Sequence, residues 1–307
     1  MNGLTAIPYC PHTPTRRQRL FLALDTFEAM YGGQAGGGKS DALLMAALQH
    51  VDRPGYSALC LRRTFADLNK PGALMDRAAE WLRPTAARWI DRDHRWLFPV
   101  GAGTETASLS FGYMETEQDR YQYQGAEYQY VAFDELTQFT ETQYLYLASR
   151  LRQLRGGVLL LRLRSATNPG GVGHAWVKAR FVEPRSSERP FVSSGLDDNP
   201  HVDAEGYKRA LSVLDQVTRD QLERGLWVLD DDARIYHYVA PAGRGAYPGW
   251  FHLDVITFDM CVAYAEYDIG VRDPSEPHPL RGTDEGRHLA REWYERNVGD
   301  RYWEASE

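Results

Sequence analysis

The sequence predicts an α/β fold, a mainly parallel sheet flanked by helices with a small helical linker region after it. Three observations predict it. A glycine-rich stretch, Gly33-Gln34-Ala35-Gly36-Gly37-Gly38-Lys39-Ser40, lies between a short apolar run and a helical segment. A second apolar run, Tyr128 to Phe133, closes on the acids Asp134 and Glu135. Strand-like and helix-like segments alternate through the first two thirds of the chain, the pattern of a parallel sheet covered on both faces.

The elements are read in order. Residues 1–19, with Pro8, Pro11 and Pro14, read as an irregular lead-in. Phe27 to Tyr31 is a strand entering the glycines, and Asp41 to His50 is the helix leaving them. Tyr56 to Leu61 reads as a buried strand, and Leu68 to Leu82 as a helix interrupted early by Pro71. Residues 92–113 form a hairpin, with strands at Arg95–Phe98 and Ala107–Phe111 around a turn at Gly101–Gly103. Thr140 to Leu154 is a helix with Leu147 and Leu151 on one face. Val158 to Leu163 is a strand running into Ser165-Ala166-Thr167-Asn168-Pro-Gly-Gly171, and residues 203–228 are a helical pair. Asp230-Asp231-Asp232 reads as a hinge. The expected division is an α/β core over 1–195, a helical linker subdomain over 196–232 and a C-terminal segment over 233–307.

Composition narrows the class. Hydrophobic residues at 43% and charged residues at 25% are ordinary for a soluble globular chain. The apolar run from Ala42 to Leu48 is too short to cross a bilayer, and the N-terminus lacks the apolar core of an export signal. Cys10, Cys60 and Cys261 include no CxxC pair, which argues against zinc or a disulfide framework and fits a reducing cytosol. The net charge of −7 counts against nucleic acid. Yet from Arg150 to Arg189 nine basic residues meet only Glu183 and Glu188. Two readings stay open there: a locally basic surface, or a solvated helix face with ordinary ion pairs.

The glycine-rich stretch fits GxxxxGK[ST], the phosphate-binding loop. Glycines let successive N–H groups turn toward phosphate oxygens; Lys39 would reach the β- and γ-phosphates, and Ser40 would ligate Mg²⁺. The other candidate contacts to ATP are Gly33, Gln34, Ala35, Gly36, Gly37 and Gly38. Asp134, at the end of its strand, is placed to share the Mg²⁺ with Ser40, and Glu135 to orient and deprotonate the attacking water. If the strand continues, the two carboxylates face opposite ways. This acid pair favours hydrolysis over transfer to a small acceptor. Ser165, Ala166, Thr167 and Asn168 follow the next strand and can report on the γ-phosphate, or serve only as an Asn-Pro-Gly turn.

Together these motifs resemble the ATPase domain (ASCE-type P-loop fold) of tailed-phage large terminase subunits. Thr13-Pro14-Thr-Arg-Arg-Gln18 resembles that family's adenine-reading glutamine motif, and Leu61-Arg62-Arg63-Thr64-Phe65 its basic turn after the second strand. Asp134-Glu-Leu-Thr-Gln-Phe-Thr140 and Ser149-Arg150-Leu151-Arg152 are similar too; the likeness spans roughly residues 10–230. It implies a Mg²⁺- and ATP-dependent motor that drives double-stranded DNA into a viral procapsid in the bacterial cytoplasm. The implied partners are a portal protein and a small terminase subunit, with the motor working as a homo-oligomeric ring. Two departures stand out. Where many terminases carry an arginine in the loop, this chain has Ala35, so an arginine finger must come from elsewhere; Arg150, Arg152 and Arg155 are candidates for that role or for DNA contact. Tyr264-Ala-Glu-Tyr-Asp268-Ile-Gly270 resembles a first nuclease strand of RNase H type, but too few residues follow Asp268 for the rest. Asp268 is therefore expected to be structural, with a nuclease remnant as the alternative, and no cleavage by this chain is expected. Two other functions stay open on sequence alone: a small-molecule phosphotransferase, and a non-catalytic ATP-binding assembly factor.

Overall fold

The computed structural model describes residues 7–227, apart from 154–156 and 158, and two short strands beyond them. The chain divides into two units, Met1–Trp227 and Val228–Glu307. In the second, the described part is an antiparallel pair, Ile235–Tyr236 with Ile256–Thr257. The expected hinge at 230–232, together with Arg155 and Asp268, lies outside the described residues.

The first unit is built on one eight-stranded sheet. Its strands are β1 (Glu28–Gly33), β2 (Ser57–Arg62), β3 (Arg88–Ile90), β4 (Arg95–Pro99), β5 (Thr106–Tyr113), β6 (Tyr130–Asp134), β7 (Arg162–Thr167) and β8 (Phe191–Ser194), in spatial order β3-β4-β5-β2-β6-β7-β1-β8. From β5 to β8 every pairing is parallel; β3 and β4 add an antiparallel edge. The period-two rule separates the two cores. Ala58, Cys60, Tyr130 and Ala132 face one cluster, while Leu59, Leu61, Val131 and Phe133 face the other. Strands buried on both faces read as unbroken apolar runs, which is why β2 and β6 were legible.

The helices are α1 (Arg16–Leu22), α2 (Lys39–Leu48), α3 (Phe65–Leu68), α4 (Leu74–Leu82), α5 (Glu141–Ala148), α6 (His174–Val177), α7 (Ala204–Leu211) and α8 (Gln216–Glu223). Residues Ala42 to Leu48 of α2 are all buried, so this helix shows no polar stripe. It lies in the core formed by α1, α4 and one sheet face.

The helix expected over Leu68–Leu82 splits into α3 and α4, and other boundaries also differ from expectation. The lead-in is not irregular to residue 19, because Thr15 and Gln18 form a reciprocal capping box that starts α1 at Arg16. The helix expected to reach Leu154 stops at Ala148. There the chain turns to pair with Tyr128, whose N–H donates to Arg150 O (3.1 Å) and whose carbonyl accepts from Arg152 N (3.0 Å). The strand expected at 158–163 runs instead over Arg162–Thr167, because its partners fix the register: Glu28 of β1 pairs with Leu163, and Tyr130 of β6 with Arg162. Ser165, Ala166 and Thr167 are thus inside β7 rather than after it.

Candidate phosphate-binding site

Parallel strands β1, β6 and β7 all end at the same edge of the sheet, and that places three distant segments together. The loop after β1 enters α2 at Gly38, whose φ is +71° and whose position offers no side-chain cap. The first-turn N–H groups of α2 therefore remain for a ligand, with the positive end of the helix dipole behind them.

The loop's carbonyls are held by named side chains. Asn199 Nδ2 donates to Gly36 O (2.7 Å), Tyr31 Oη to Gly37 O (3.0 Å), and Gln18 Nε2 to Gly38 O (3.0 Å). Three consecutive carbonyls tied in this way favour a concave run of N–H groups, the geometry that binds anions. Tyr31 and Asn199 carried no sequence signal for this, since their partners are backbone atoms set by the fold. Gln18 is 2% exposed, and its Oε1 accepts from Thr15 N (2.9 Å). Its amide thus already serves the loop and its own helix. Gly33 and Gln34 close the other flank: Gln34 N donates to Ser194 O (3.1 Å), while Ala35 is buried and its N–H donates to Leu222 O (2.7 Å). Gly37 packs so closely that an added Cβ would lie 3.1 Å from the Ser194 carbonyl carbon.

Lys39, 8% exposed, donates from Nζ to Gln34 O (2.9 Å) and Asn168 Oδ1 (2.7 Å). Burial pulls its pKa down, while Glu135 and Asp134 act against that fall. Ser40 Oγ lies 3.3 and 3.4 Å from the two Asp134 oxygens. Asp134 is fully buried, and desolvation pushes its carboxyl up to about 6 even with Arg62 opposing.

The expected opposite facing of Asp134 and Glu135 does not hold. Strand β6 ends at Asp134, and Glu135 takes a left-handed backbone (φ +57°, ψ +59°), so the alternation stops there. Both carboxylates meet one guanidinium: Arg62 Nε is 3.4 Å from Asp134 Oδ2, and Nη2 is 3.7 Å from Glu135 Oε1. A non-glycine residue at positive φ costs roughly 1–3 kcal/mol. Here it brings the Glu135 carboxylate to the same guanidinium that Asp134 meets. Arg62 ends β2, beside β6, and its contact with both acids appears only in three dimensions.

The four expected coupling residues separate. Ser165 Oγ bonds to Ala29 O (3.4 Å) and Ala166 is buried, both within the sheet. Thr167 Oγ1 lies 2.8 Å from Thr137 Oγ1 in the loop after β6, and Asn168 reaches Lys39. Only these last two join the loops at the site. Arg150 and Arg152 lie at the opposite end of β6, on the backbone of Tyr128. Six residues of extended chain separate Tyr128 from Asp134, about 20 Å, so neither reaches the chain's own phosphate loop.

Of the two readings left open for the basic residues from Arg150 to Arg189, several described ones fit the ordinary ion pairs. Arg164 is 1% exposed and donates to the carbonyls of Leu24, Thr26, Phe27 and Leu163. Arg152 pairs with Glu127, Lys178 with Glu183, and Arg180 with Glu28.

Residues 30–237 match the family described as terminase large subunit, T4likevirus-type, N-terminal. The chain belongs to that family. Solved structures agree on the fold. The large terminase of a thermophilic bacteriophage superposes with a TM-score of 0.58 at 16% identity, covering 71% of this chain and 54% of that one. The same terminase in complex with ADP gives 0.57 at 18% identity, over 70% and 54%. An ATPase-domain variant of the Thermus phage P74-26 large terminase gives 0.54 at 16%, over 72% and 96%. This chain thus spans about half the length of the thermophilic phage's terminase. Comparison with curated proteins returned no match.

Proposed function

We propose that this chain is an ATP-hydrolysing motor subunit that translocates double-stranded viral DNA into a procapsid. One observation carries the reading: Lys39, Ser40, Asp134, Glu135 and Asn168, drawn from three strand ends, are linked beside the glycine-rich loop by hydrogen bonds and by the contacts of Arg62 with both acids. The ADP complex of the thermophilic phage's terminase supports the choice of nucleotide.

In this reading the loop amides and Lys39 bind the ATP phosphates. Lys39 exchanges its bonds to Gln34 O and Asn168 for phosphate oxygens. Ser40 and Asp134 fit Mg²⁺, since their oxygens lie 3.3 Å apart. Among the described residues no group of three His, Cys, Asp or Glu could hold a metal. Mg²⁺ in such a site relies on one carboxylate, a hydroxyl and the nucleotide's own oxygens, and when bound it neutralises charge developing on the phosphates. Glu135 orients and deprotonates the attacking water. Asn168 senses the phosphate through Lys39, and the Thr167–Thr137 contact passes its position to the loop after β6. Gln18 acts by clasping Gly38, beside any role toward adenine. Ala35 leaves no arginine within the loop, so the finger is supplied from another copy in a ring; Arg150 and Arg152 remain candidates for that role or for DNA. Portal and small-subunit contacts and the host cytoplasm follow from the same reading. The 1–195, 196–232 and 233–307 division is kept as part of it.

The decisive experiment measures ATP turnover with and without double-stranded DNA across a protein concentration series. Turnover should rise with DNA and with concentration, and Glu135→Gln should lower it at least ~100-fold. Unchanged turnover in Glu135→Gln removes the role assigned to Glu135; binding without hydrolysis under every condition overturns the motor reading.

A further inference from the structure

A cleft of about 590 Å³ opens at the antiparallel edge of the sheet, between helices α3 and α4 and the β3–β4 hairpin. Its size lies within the range of small-ligand sites. Its walls are aromatic. Trp89 and Trp96 are directly paired across β3 and β4, with ring centroids 5.4 Å apart. Phe65 and His94 stack at 4.5 Å with a 41° tilt. His94 takes a left-handed backbone (φ +46°) at the hairpin turn.

The rim carries two guanidiniums, Arg83 and Arg88, and two carboxylates, Asp76 and Asp91. Arg83 and Arg88 are exposed, and among the described residues neither guanidinium has a carboxylate partner. The two acids of the cleft are engaged locally: Asp76 accepts from Gly72 N (2.8 Å), and Asp91 from Trp89 Nε1 (3.1 Å). Half-buried aromatic faces beside unpaired guanidiniums suit a flat π-system that carries an anion.

We propose that this cleft binds a nucleobase with its phosphate, the base against Trp89, His94 and Phe65 and the phosphate on Arg83 and Arg88. Every base offers a π-face, so such a wall is sequence-tolerant, and guanidinium matches phosphate in two-point geometry. A duplex hides its base faces, so the ligand is an unpaired nucleotide: either a single-stranded DNA segment or a free mononucleotide. This site is separate from the phosphate loop and does not depend on the reading of that loop.

The test uses the full chain without ATP. Anisotropy of fluorescein-labelled (dT)12 gives the affinity, dTMP is the mononucleotide probe, and 5-iododeoxyuridine in the oligomer provides photocrosslinks mapped by mass spectrometry. Crosslinks are expected at Trp89, His94 or Phe65. Trp89→Ala should weaken (dT)12 binding about 10-fold, about 1.4 kcal/mol. Arg88→Ala, at an exposed position, should fold regardless and reduce the log–log salt slope by about 0.7. Competition by dTMP at micromolar concentration assigns the site to free nucleotides, and competition only at millimolar concentration to single strands; both uphold it. Crosslinks confined to other residues, or affinity unchanged in both variants, overturn it.

Discussion

Asp134→Asn tests the electrostatics of the site without any assumption about turnover. The carboxyl is fully buried, and its pKa rises from an ordinary 3.8 to about 6. A folded pKa above the unfolded one means the folded state holds its proton more tightly. The stability linked to Asp134 is therefore complete below pH 3.8 and is lost as pH rises through about 6. The whole loss is on the order of 3 kcal/mol, and roughly half of it falls between pH 5 and pH 8. Asparagine does not titrate. The difference in unfolding free energy, variant minus wild type, should therefore grow by on the order of 1 kcal/mol over that interval, a shift of a few degrees in melting temperature for a domain of this size. Melts without nucleotide or Mg²⁺, at both pH values, measure it. Adding Mg²⁺ and a non-hydrolysable ATP analogue should reverse the ranking, because ligand binding stabilises only the wild type. A variant-minus-wild-type difference that is flat or falling with pH would refute the account of Asp134 as a desolvated carboxylate.

Three further outcomes follow from the same geometry. Arg62→Ala removes the cation that holds down the pKa of Asp134, so the acid limb of the ATPase pH profile should move upward; a limb that stays put or moves down argues against the pairing at 3.4 Å. Glu135→Gly should abolish turnover yet melt no lower than Glu135→Ala, with a stability about 1 kcal/mol higher, because glycine relieves the positive φ that alanine retains. Asn199→Ala releases the Gly36 carbonyl and should weaken ATP binding roughly 10-fold, with the far-ultraviolet spectrum unchanged; calorimetric titration decides it, and wild-type affinity would dismiss the clasp.

The fold was legible where local chemistry and burial agree. A run such as Tyr130–Phe133 is apolar at every position because both sheet faces cover it, and the glycines of residues 33–38 announce a backbone only glycine adopts easily, as at Gly36 and Gly38. The short edge strand β3 and the four-residue β8 carried no such signal. A strand of that length is stabilised by its neighbours rather than by its own pattern. The ends of α5 and β7 were misplaced for the same reason: pairing with Tyr128, and with β1 and β6, fixes them from outside the segment.

The sequence by itself marked out the glycine-rich loop, the acid pair at the end of β6 and the stretch Ser165 to Asn168 as candidate members of one site, because each depends on residue type at a fixed spacing. Tertiary structure alone decided how they act together. It sent Ser165 and Ala166 into the sheet and carried Arg150 and Arg152 to its far end. It also brought Arg62 between two carboxylates and set Tyr31, Gln18 and Asn199 on three consecutive carbonyls. Those contacts join residues up to 163 positions apart, and a spacing rule describes only what one stretch of backbone can reach.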